Sequence, residues 1–359
     1  MDKQHFDPLA GHDRSAELLE QVRQALAEKT ALAIRGGSSK AFLGRWVEAR
    51  PLDVAGHTGI VSYDPTELVI TARAGTPLRE LNAALDSAGQ MLACEAPCFT
   101  ENATVGGMLA AGLSGPRRPW AGAVRDFVLG TRLISGLGTH LRFGGEVMKN
   151  VAGYDLSRLL AGSFGCLGVI TEASFKVLPK PRCRISLRQA IPLERALLRL
   201  GEWGQQPLPL SAAAHDGEHL YLRFEGNEGS VRAACDRIGG DALDDAWWDD
   251  LREQRLDFFR DPRPLWRLSL PALSAPLALP GEQLLDWGGA QRWLKSEASA
   301  AEIRQAVSAV GGHASCFTPG HVDEPLHPLP APLLKLHRSL KRQLDPQGIF
   351  NPGRMYADF

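Results

Sequence analysis

Ile34-Arg35-Gly36-Gly37-Ser38-Ser39-Lys40 carries the most legible chemistry in the chain, because it closes the short apolar run Ala31–Ile34 with small residues flanked by cations. Such a run lets successive backbone N–H groups converge on one point, a concavity that attracts anions. Glycine supplies the backbone freedom and the close approach this needs. Ser38 and Ser39 add hydroxyl donors, and Arg35 and Lys40 add positive charge. A phosphate or diphosphate satisfies all of these groups at once; a tight solvent-facing turn is the alternative. Further on, Pro97-Cys98-Phe99-Thr100 leads into Thr104-Val105-Gly106-Gly107-Met108-Leu109-Ala110-Ala111-Gly112-Leu113-Ser114-Gly115. Here paired glycines open a short helix, where unpaired N–H groups and the helix dipole favour an anion. The small residues Ala110, Ala111, Gly112 and Ser114 leave room for a flat ring against backbone, unless the helix is simply packed closely in the core. A third stretch runs from Lys149-Asn150-Val151-Ala152-Gly153-Tyr154-Asp155 to Gly162-Ser163-Phe164-Gly165-Cys166-Leu167-Gly168-Val169-Ile170. Its closely spaced glycines before a β-run suggest backbone lining a ligand. No G-x-G-x-x-G follows a strand and no G-x-x-x-x-G-K-[ST] occurs, which argues against a Rossmann dehydrogenase and a P-loop NTPase.

Helices and strands at definite places must hold these loops. Leu18, Leu19, Val22, Ala25 and Leu26 recur at helical spacing and predict a helix over Ser15–Glu28. Strands are expected at Ala31–Ile34, 58–63 and 67–74, and a second helix after Thr76-Pro77, with Thr76 as its cap and Gly89 as its stop. Leu78, Leu81, Ala84 and Leu85 are the inward face of that helix. A short helix is expected from Thr104 to Ala111, and strands at Phe127–Ser135, Thr139–Phe143 and Gly168–Val177. Pro179-Lys180-Pro181 reads as a boundary. Beyond it come strands at Ile185–Ile191 and His219–Phe224, a helix over Leu193–Trp203, and a hairpin turning on Gly288-Gly289. A last helix, Pro332–Leu344, shows Leu333, Leu336, Leu340 and Leu344 on one side, and the tail Asp345–Arg354 is rich in turns.

The 359 residues suit roughly two domains. Forty Lys plus Arg against 41 Asp plus Glu give a net charge of −1, which speaks against a nucleic-acid binder. The chain opens without a secretory signal and holds no run of roughly 18 uncharged apolar residues, so neither export nor direct membrane insertion is expected. The six cysteines are scattered with no C-x-x-C, which fits reduced thiols in a cytoplasmic protein rather than a zinc or iron–sulfur site on this chain. No metal site is expected.

In order and separation, the three loop segments resemble the FAD-binding domain of the vanillyl-alcohol oxidase/para-cresol methylhydroxylase superfamily. The tail Leu344-Asp345-Pro346-Gln347-Gly348-Ile349-Phe350-Asn351-Pro352-Gly353-Arg354 is similar to that of its D-lactate and glycolate dehydrogenase branch. Nearly the whole chain resembles the smaller flavoprotein subunits of three-subunit glycolate dehydrogenases, most specifically at Val147–Asp155 and at Leu284-Leu285-Asp286-Trp287-Gly288-Gly289-Ala290. The resemblance implies an α+β fold: a two-subdomain PCMH-type FAD-binding domain over 1–179, a smaller α+β cap domain over 180–312, and a C-terminal segment, 313–359, returning to the first. It implies that Arg35, Gly36, Gly37, Ser38, Ser39 and Lys40, with Gly106 and Gly107, hold the diphosphate of FAD, and that Pro97 and Thr104 also contact the cofactor. Ala111, Gly112, Ser114, Gly168, Val169 and Ile170 would then lie along the rest of the cofactor. Covalent members carry a histidine in the first loop or a cysteine before the T-V-G run; here stand Gly36-Gly37-Ser38-Ser39 and Asn102-Ala103, so non-covalent FAD is expected. The implied partners are a larger homologous FAD subunit and an iron–sulfur subunit, with any association with the inner membrane made through them.

Oxidation of a 2-hydroxy acid needs a base and a cation for the carboxylate. Catalytic relatives carry H-x-G-D-G-N-x-H, and this chain has no such cluster. The remaining candidates are His313 in Gly311-Gly312-His313-Ala314-Ser315, with Arg267 and Arg292 as carboxylate-binding groups. The alternative places for these are a turn-fixing histidine and strand arginines paired with surface acids. Trp266, Trp287 and Trp293 are expected in a core or an interface, and the acidic, aromatic run Asp241–Asp250 is either a solvated helix end or a partner-binding edge. The leading reading is an FAD subunit supporting electron transfer; the alternatives are a self-sufficient FAD-dependent 2-hydroxy acid dehydrogenase and a cofactor-free scaffold.

Overall fold

The computed structural model describes residues 11–145 and 155–359. Of the most specific family run, Val147–Tyr154 therefore lies outside the described residues. Contacts divide the chain into two units. The first takes the described parts of Met1–Leu113, Ala123–Pro179 and Pro328–Phe359; the second takes Ser114–Gly122 and Lys180–His327.

In the first unit, helix α1 (Ser15–Glu28) buries Leu18, Val22 and Ala25, the stripe its periodicity predicts. Strand β1 (Leu32–Arg35) pairs in parallel with β2 (Arg50–Asp53). A five-stranded antiparallel sheet follows, in the order β3 (Ile60–Asp64), β4 (Val69–Arg73), β8 (Val169–Lys176), β6 (Val128–Ile134) and β7 (His140–Gly144). The short strands β5 (Gln90–Met91) and β9 (Leu178–Pro179) pair separately. Helix α2 (Leu78–Ser87) buries Leu78, Leu81, Ala84 and Leu85, and Gly89 follows it in the left-handed region at φ +66°. Thr76 is not its cap. The cap position is Pro77, while the buried Thr76 hydroxyl bonds Gly59, accepting from its N at 2.9 Å and donating to its O at 3.1 Å. Helix α3 (Val105–Ala111) is capped by Thr104.

The second unit is built on an eight-stranded sheet, ordered β13 (Asp241–Leu243), β10 (Cys183–Ala190), β12 (His219–Gly226), β11 (Leu210–His215), β15 (Glu282–Asp286), β16 (Gln291–Lys295), β14 (Leu265–Ser269) and β17 (His313–Cys316). One apolar cluster gathers Leu187, Leu220, Leu222 and Phe224 with Val231, and another gathers Trp266, Leu268, Leu294 and Ala314 with Ile303 and Val307. Trp266, Trp287 and Trp293 are all buried, as core tryptophans. In the acidic run, Trp248 is buried with its Nε1 donating to Ser186 Oγ at 3.0 Å, and Trp247 stacks on Tyr221 at 3.9 Å. Trp248 is thus a core ring, while Trp247 is half-buried against Tyr221.

Three boundaries differ from the sequence reading. His313–Cys316 pairs with Leu265–Ser269 and so stays in the second unit, which ends at His327 rather than 312. Ser114–Gly122 also belongs to it. There Arg117 forms a bidentate pair with Glu225, and Trp287 Nε1 donates to Gly115 O at 2.9 Å. The hairpin turns through Trp287–Ala290 rather than two glycines alone, with Trp287, Gly288 and Gly289 all at positive φ.

The C-terminal helix, Ala331–Leu344, keeps its expected face only in part: Leu340 and Leu344 are half-buried and Lys335, Arg338 and Arg342 exposed. Leu333 and Leu336 are 46% and 64% exposed, whereas Lys341 is buried. Lys341 Nζ donates to Cys166 O, Asp345 Oδ2 and Phe350 O at 2.7, 2.7 and 2.8 Å, and this buried anchor ties down the end of the helix.

Candidate cofactor site

The first glycine loop leaves β1 at Arg35 and turns back on itself. Ser38 sits in the left-handed region at φ +56°, and the N–H groups of Gly37, Ser38 and Ser39 donate to no described residue. Successive open amides around a left-handed residue are the geometry of an anion nest. Lys40 is buried, its Nζ donating to Ser39 Oγ at 3.2 Å and Cys98 O at 3.4 Å and lying 5.4 Å from the Phe99 ring centroid. These contacts hold its charge beside the loop.

Helix α3 is pressed against this loop. A Cβ on Gly36 would stand 2.7 Å from Thr104 Oγ1, and one on Gly37 would stand 1.4 Å from Asn102 O. Only glycine permits that approach. The two loops bound a cleft of about 270 Å³ lined by Arg35–Lys40, Trp46, Thr104, Gly107, Ala110, Ala111, Phe164, Asn351 and Arg354. A smaller recess of about 90 Å³ shares Ile34, Gly36, Thr104, Gly107 and Asn351 and adds Ala74, Gly106, Gly165, Gly168 and Ile170. No Asp or Glu lines either space among the described residues, so nothing there opposes an anion.

The expected role of α3 as an amide donor needs correction. Val105 N donates to Thr76 O at 3.0 Å, Gly106 N to Ala74 O at 2.7 Å, and Gly107 N to Thr104 Oγ1 at 3.2 Å. Its first-turn donors are thus spent on the protein itself. Gly106 and Gly107 contribute closeness and shape, and the open amides are those of the first loop together with Gly165 and Gly168 in the recess, which donate to no described residue. Pro97 and Val169 are buried and line neither space. Gly112 is the left-handed end of α3, packed where a Cβ would stand 2.8 Å from Gly162 N, and Ser114 belongs to the segment grouped with the second unit.

Two wall residues were missed because they are remote in sequence. Asn351 accepts from Ile34 N at 2.8 Å and donates from Nδ2 to Phe164 O at 2.7 Å, tying the tail to the first strand and the third loop. Arg354 donates to Arg45 O at 3.0 Å and Ala41 O at 2.7 Å, and burial lowers its pKa. The only signal in the sequence was the similarity of the tail to the dehydrogenase branch.

The residues present fit a dinucleotide with a flat ring system. Open amides and two cations suit a diphosphate, and glycine and alanine walls suit a ring. The buried Ser163 hydroxyl, adjacent in sequence to the wall residue Phe164, has no hydrogen-bond partner among the described residues.

Of the catalytic candidates, Arg292 is excluded. It is wholly buried, its Nε, Nη1 and Nη2 donating to the carbonyls of Gly289, Ala275 and Ser274, so it ties backbone together and presents no face to open space. Arg267 and His313 lie on adjacent strands of the second unit, with the Arg267 Nε donating to Gln291 Oε1 at 2.6 Å. Among the described residues no group of three or more His, Cys, Asp and Glu side chains could hold a metal ion, and no helix is long and apolar enough to cross a membrane.

Residues 12–144 match a family model described as FAD binding domain. A solved structure of alkyldihydroxyacetonephosphate synthase shares the fold, with a TM-score of 0.66 at 17% identity, covering 95% of this chain and 76% of that one. The class is therefore an α+β protein built around an FAD-binding domain of the PCMH type. Glycolate oxidase subunit GlcE of Escherichia coli (strain K12) is 60% identical over 346 residues, 96% of this chain and 98% of that protein. Glycolate oxidase subunit GlcD of Bacillus subtilis (strain 168) is 35% identical over 128 residues, 36% of this chain and 27% of its own. A D-lactate dehydrogenase of Archaeoglobus fulgidus is 34% identical over 152 residues, 42% of this chain and 34% of its own. The chain belongs to the family of the glycolate oxidase subunit GlcE.

Proposed function

We propose that this chain is the FAD-binding subunit of a glycolate dehydrogenase complex that oxidises glycolate to glyoxylate, and that it supports electron transfer rather than housing substrate oxidation. The observation that carries this reading is the cleft with three open amides between two cations, in a chain similar over nearly its whole length to a glycolate oxidase subunit. The amides of Gly37–Ser39, with Arg35 and Lys40, hold the diphosphate. Gly106, Gly107, Ala111, Gly168 and Ile170 form a close-fitting wall, and Asn351 and Arg354 close it from the tail. When bound, the flavin supplies an acceptor for two electrons that can pass them on singly. The first unit is the FAD-binding domain and the second the cap. The partners are a larger homologous FAD subunit and an iron–sulfur subunit, and the complex is cytoplasmic, meeting the inner membrane through them.

The cofactor is held without a covalent bond, since no histidine stands in the first loop and no cysteine at Asn102-Ala103. Precipitation with trichloroacetic acid is expected to release all yellow colour into the supernatant; colour in the pellet would contradict non-covalent binding.

The test of function uses the purified full chain under anaerobic conditions. A yellow protein whose absorbance is unchanged by glycolate, and which becomes reducible once the partner subunits are added, is expected. Bleaching by glycolate alone would favour a self-sufficient dehydrogenase, the reading to which Arg267 and His313 lend support. A colourless protein unable to take up FAD would mean a scaffold.

A further inference from the structure

We propose that a cation-lined groove in the second unit binds a small hydroxylated phosphate monoester. This goes beyond the function proposed above, which requires no such site, and the groove shares no residue with the cofactor cleft.

The groove is built where β10 hands the chain to the next helix. Strand β13 pairs with β10 only over Ser186–Arg188, so Gln189 and Ala190 outrun the edge strand. Pro192 then takes the cap position of the helix Leu193–Trp203, whose Ala196 and Trp203 pack with Leu187 and Ile191 in one apolar cluster. Strand end and helix bound a space of about 390 Å³, with Arg188, Gln189, Arg195, Arg199 and Asp241 as its polar lining and Gly240 beside them. A Cβ on Gly240, at φ +131°, would stand 2.8 Å from Arg188 O and 3.0 Å from Gln189 Cγ. Glycine is what lets that wall close up on the strand.

The cations are gathered without matching acids. Arg195 and Arg199 stand one helical turn apart, an arrangement in which like charges repel and weaken a helix. Neither lies within ion-pair distance of a carboxylate among the described residues, and the Arg199 guanidinium rests 6.0 Å from the centroid of the Trp203 ring. Arg188, the third cation, has Asp241 at 3.7 Å. Three guanidiniums facing one carboxylate leave the groove positive, and a bound anion relieves their repulsion.

The floor asks for a donor. Gln189 Nε2 donates to Ile238 O at 2.9 Å and to Gly239 O at 2.8 Å, which uses both amide hydrogens and fixes the orientation of the group. Its Oε1 is buried and has no partner among the described residues. An acceptor left in that state is costly, and a hydroxyl from a ligand satisfies it. Asp241 offers a second acceptor on the wall. A phosphate monoester is a dianion that takes planar guanidiniums bidentately, whereas a monocarboxylate leaves cationic charge uncompensated. The ligand class is therefore a polyol or sugar phosphate, with its phosphate on the arginines and a hydroxyl toward Gln189 and Asp241.

Titration calorimetry of the full chain in saturating FAD, so that the cofactor loop is occupied, tests this with glycerol 3-phosphate as probe. Sodium sulfate and glycerol at matched ionic strength are the controls. Saturable binding of glycerol 3-phosphate is expected, with sulfate weaker and glycerol inert. The double variant Arg195→Gln/Arg199→Gln, at side chains outside the core, should weaken binding by roughly tenfold or more. Arg188→Gln should weaken it several-fold. FAD content and melting temperature should stay unchanged in both, which separates failure here from failure of the cofactor reading. Absence of saturable binding, sulfate binding as tightly as the probe, or unchanged affinity in the double variant would overturn the proposal. A polyglutamate peptide binding where glycerol 3-phosphate does not would overturn it in favour of an acidic protein segment.

Discussion

Gly107→Asp is expected to leave the chain folded but without flavin. Gly107 lines both the cleft and the recess, and a Cβ there meets Thr104 Oγ1 at 3.1 Å and nothing else within 4 Å. The new carboxylate therefore enters the space beside the open loop. At an effective dielectric of 20, two unit charges about 5 Å apart repel by ~3 kcal/mol, more than a hundredfold in affinity. Fold stability should not suffer, because an acid three residues after the Thr104 cap interacts favourably with the dipole of α3. The measurement is FAD per chain by absorbance, with the melting temperature as control. Gly107→Asn, nearly the same size but uncharged, should keep most of its flavin. If the aspartate variant holds FAD at normal stoichiometry, the diphosphate does not lie against this loop.

The second large effect is expected at Lys341. Its ammonium is buried among Cys166 O, Phe350 O and the Asp345 carboxylate, while Asp345, 1% exposed, also accepts from Ile349 N at 3.1 Å and Phe350 N at 2.8 Å. Lys341→Met removes the only cation paired with that buried carboxylate among the described residues. Breaking one partner of a buried pair costs ~3–5 kcal/mol, because the other charge is left uncompensated. A fall in melting temperature of roughly 10 °C follows for a unit of this size. The tail that Lys341 anchors also carries Asn351 and Arg354 to the cleft, so FAD affinity should fall with it. Adding Asp345→Asn removes the stranded charge and should recover part of the loss. An unchanged melting curve in the single variant would show that the anchor contributes nothing.

Local rules were sufficient where a segment's neighbours in sequence are its neighbours in space. The apolar stripe of Ser15–Glu28 and that of Leu193–Trp203 give both helices their bounds, because the period of a helix is written into the chain itself. The first loop was legible for the same reason: small residues and two cations sit on consecutive positions, and an amide nest needs nothing further away.

Long-range pairing decided the rest. The paired glycines of α3 look like amide donors until the carbonyls of Ala74 and Thr76 are brought to them by the fold. Arg267 and Arg292 look alike in sequence, and only strand register and the Ser274–Ala275 carbonyls separate a guanidinium held by a side chain from one buried against backbone. Lys341 reads as a surface cation until the chain returns to place Cys166 O and Phe350 O around it. Thus the sequence alone located a loop of small residues between two cations and suggested which cofactor it resembles a site for. Which of the candidate amides remain open was decided by the tertiary structure, because a donor's availability depends on acceptors that come from anywhere in the chain.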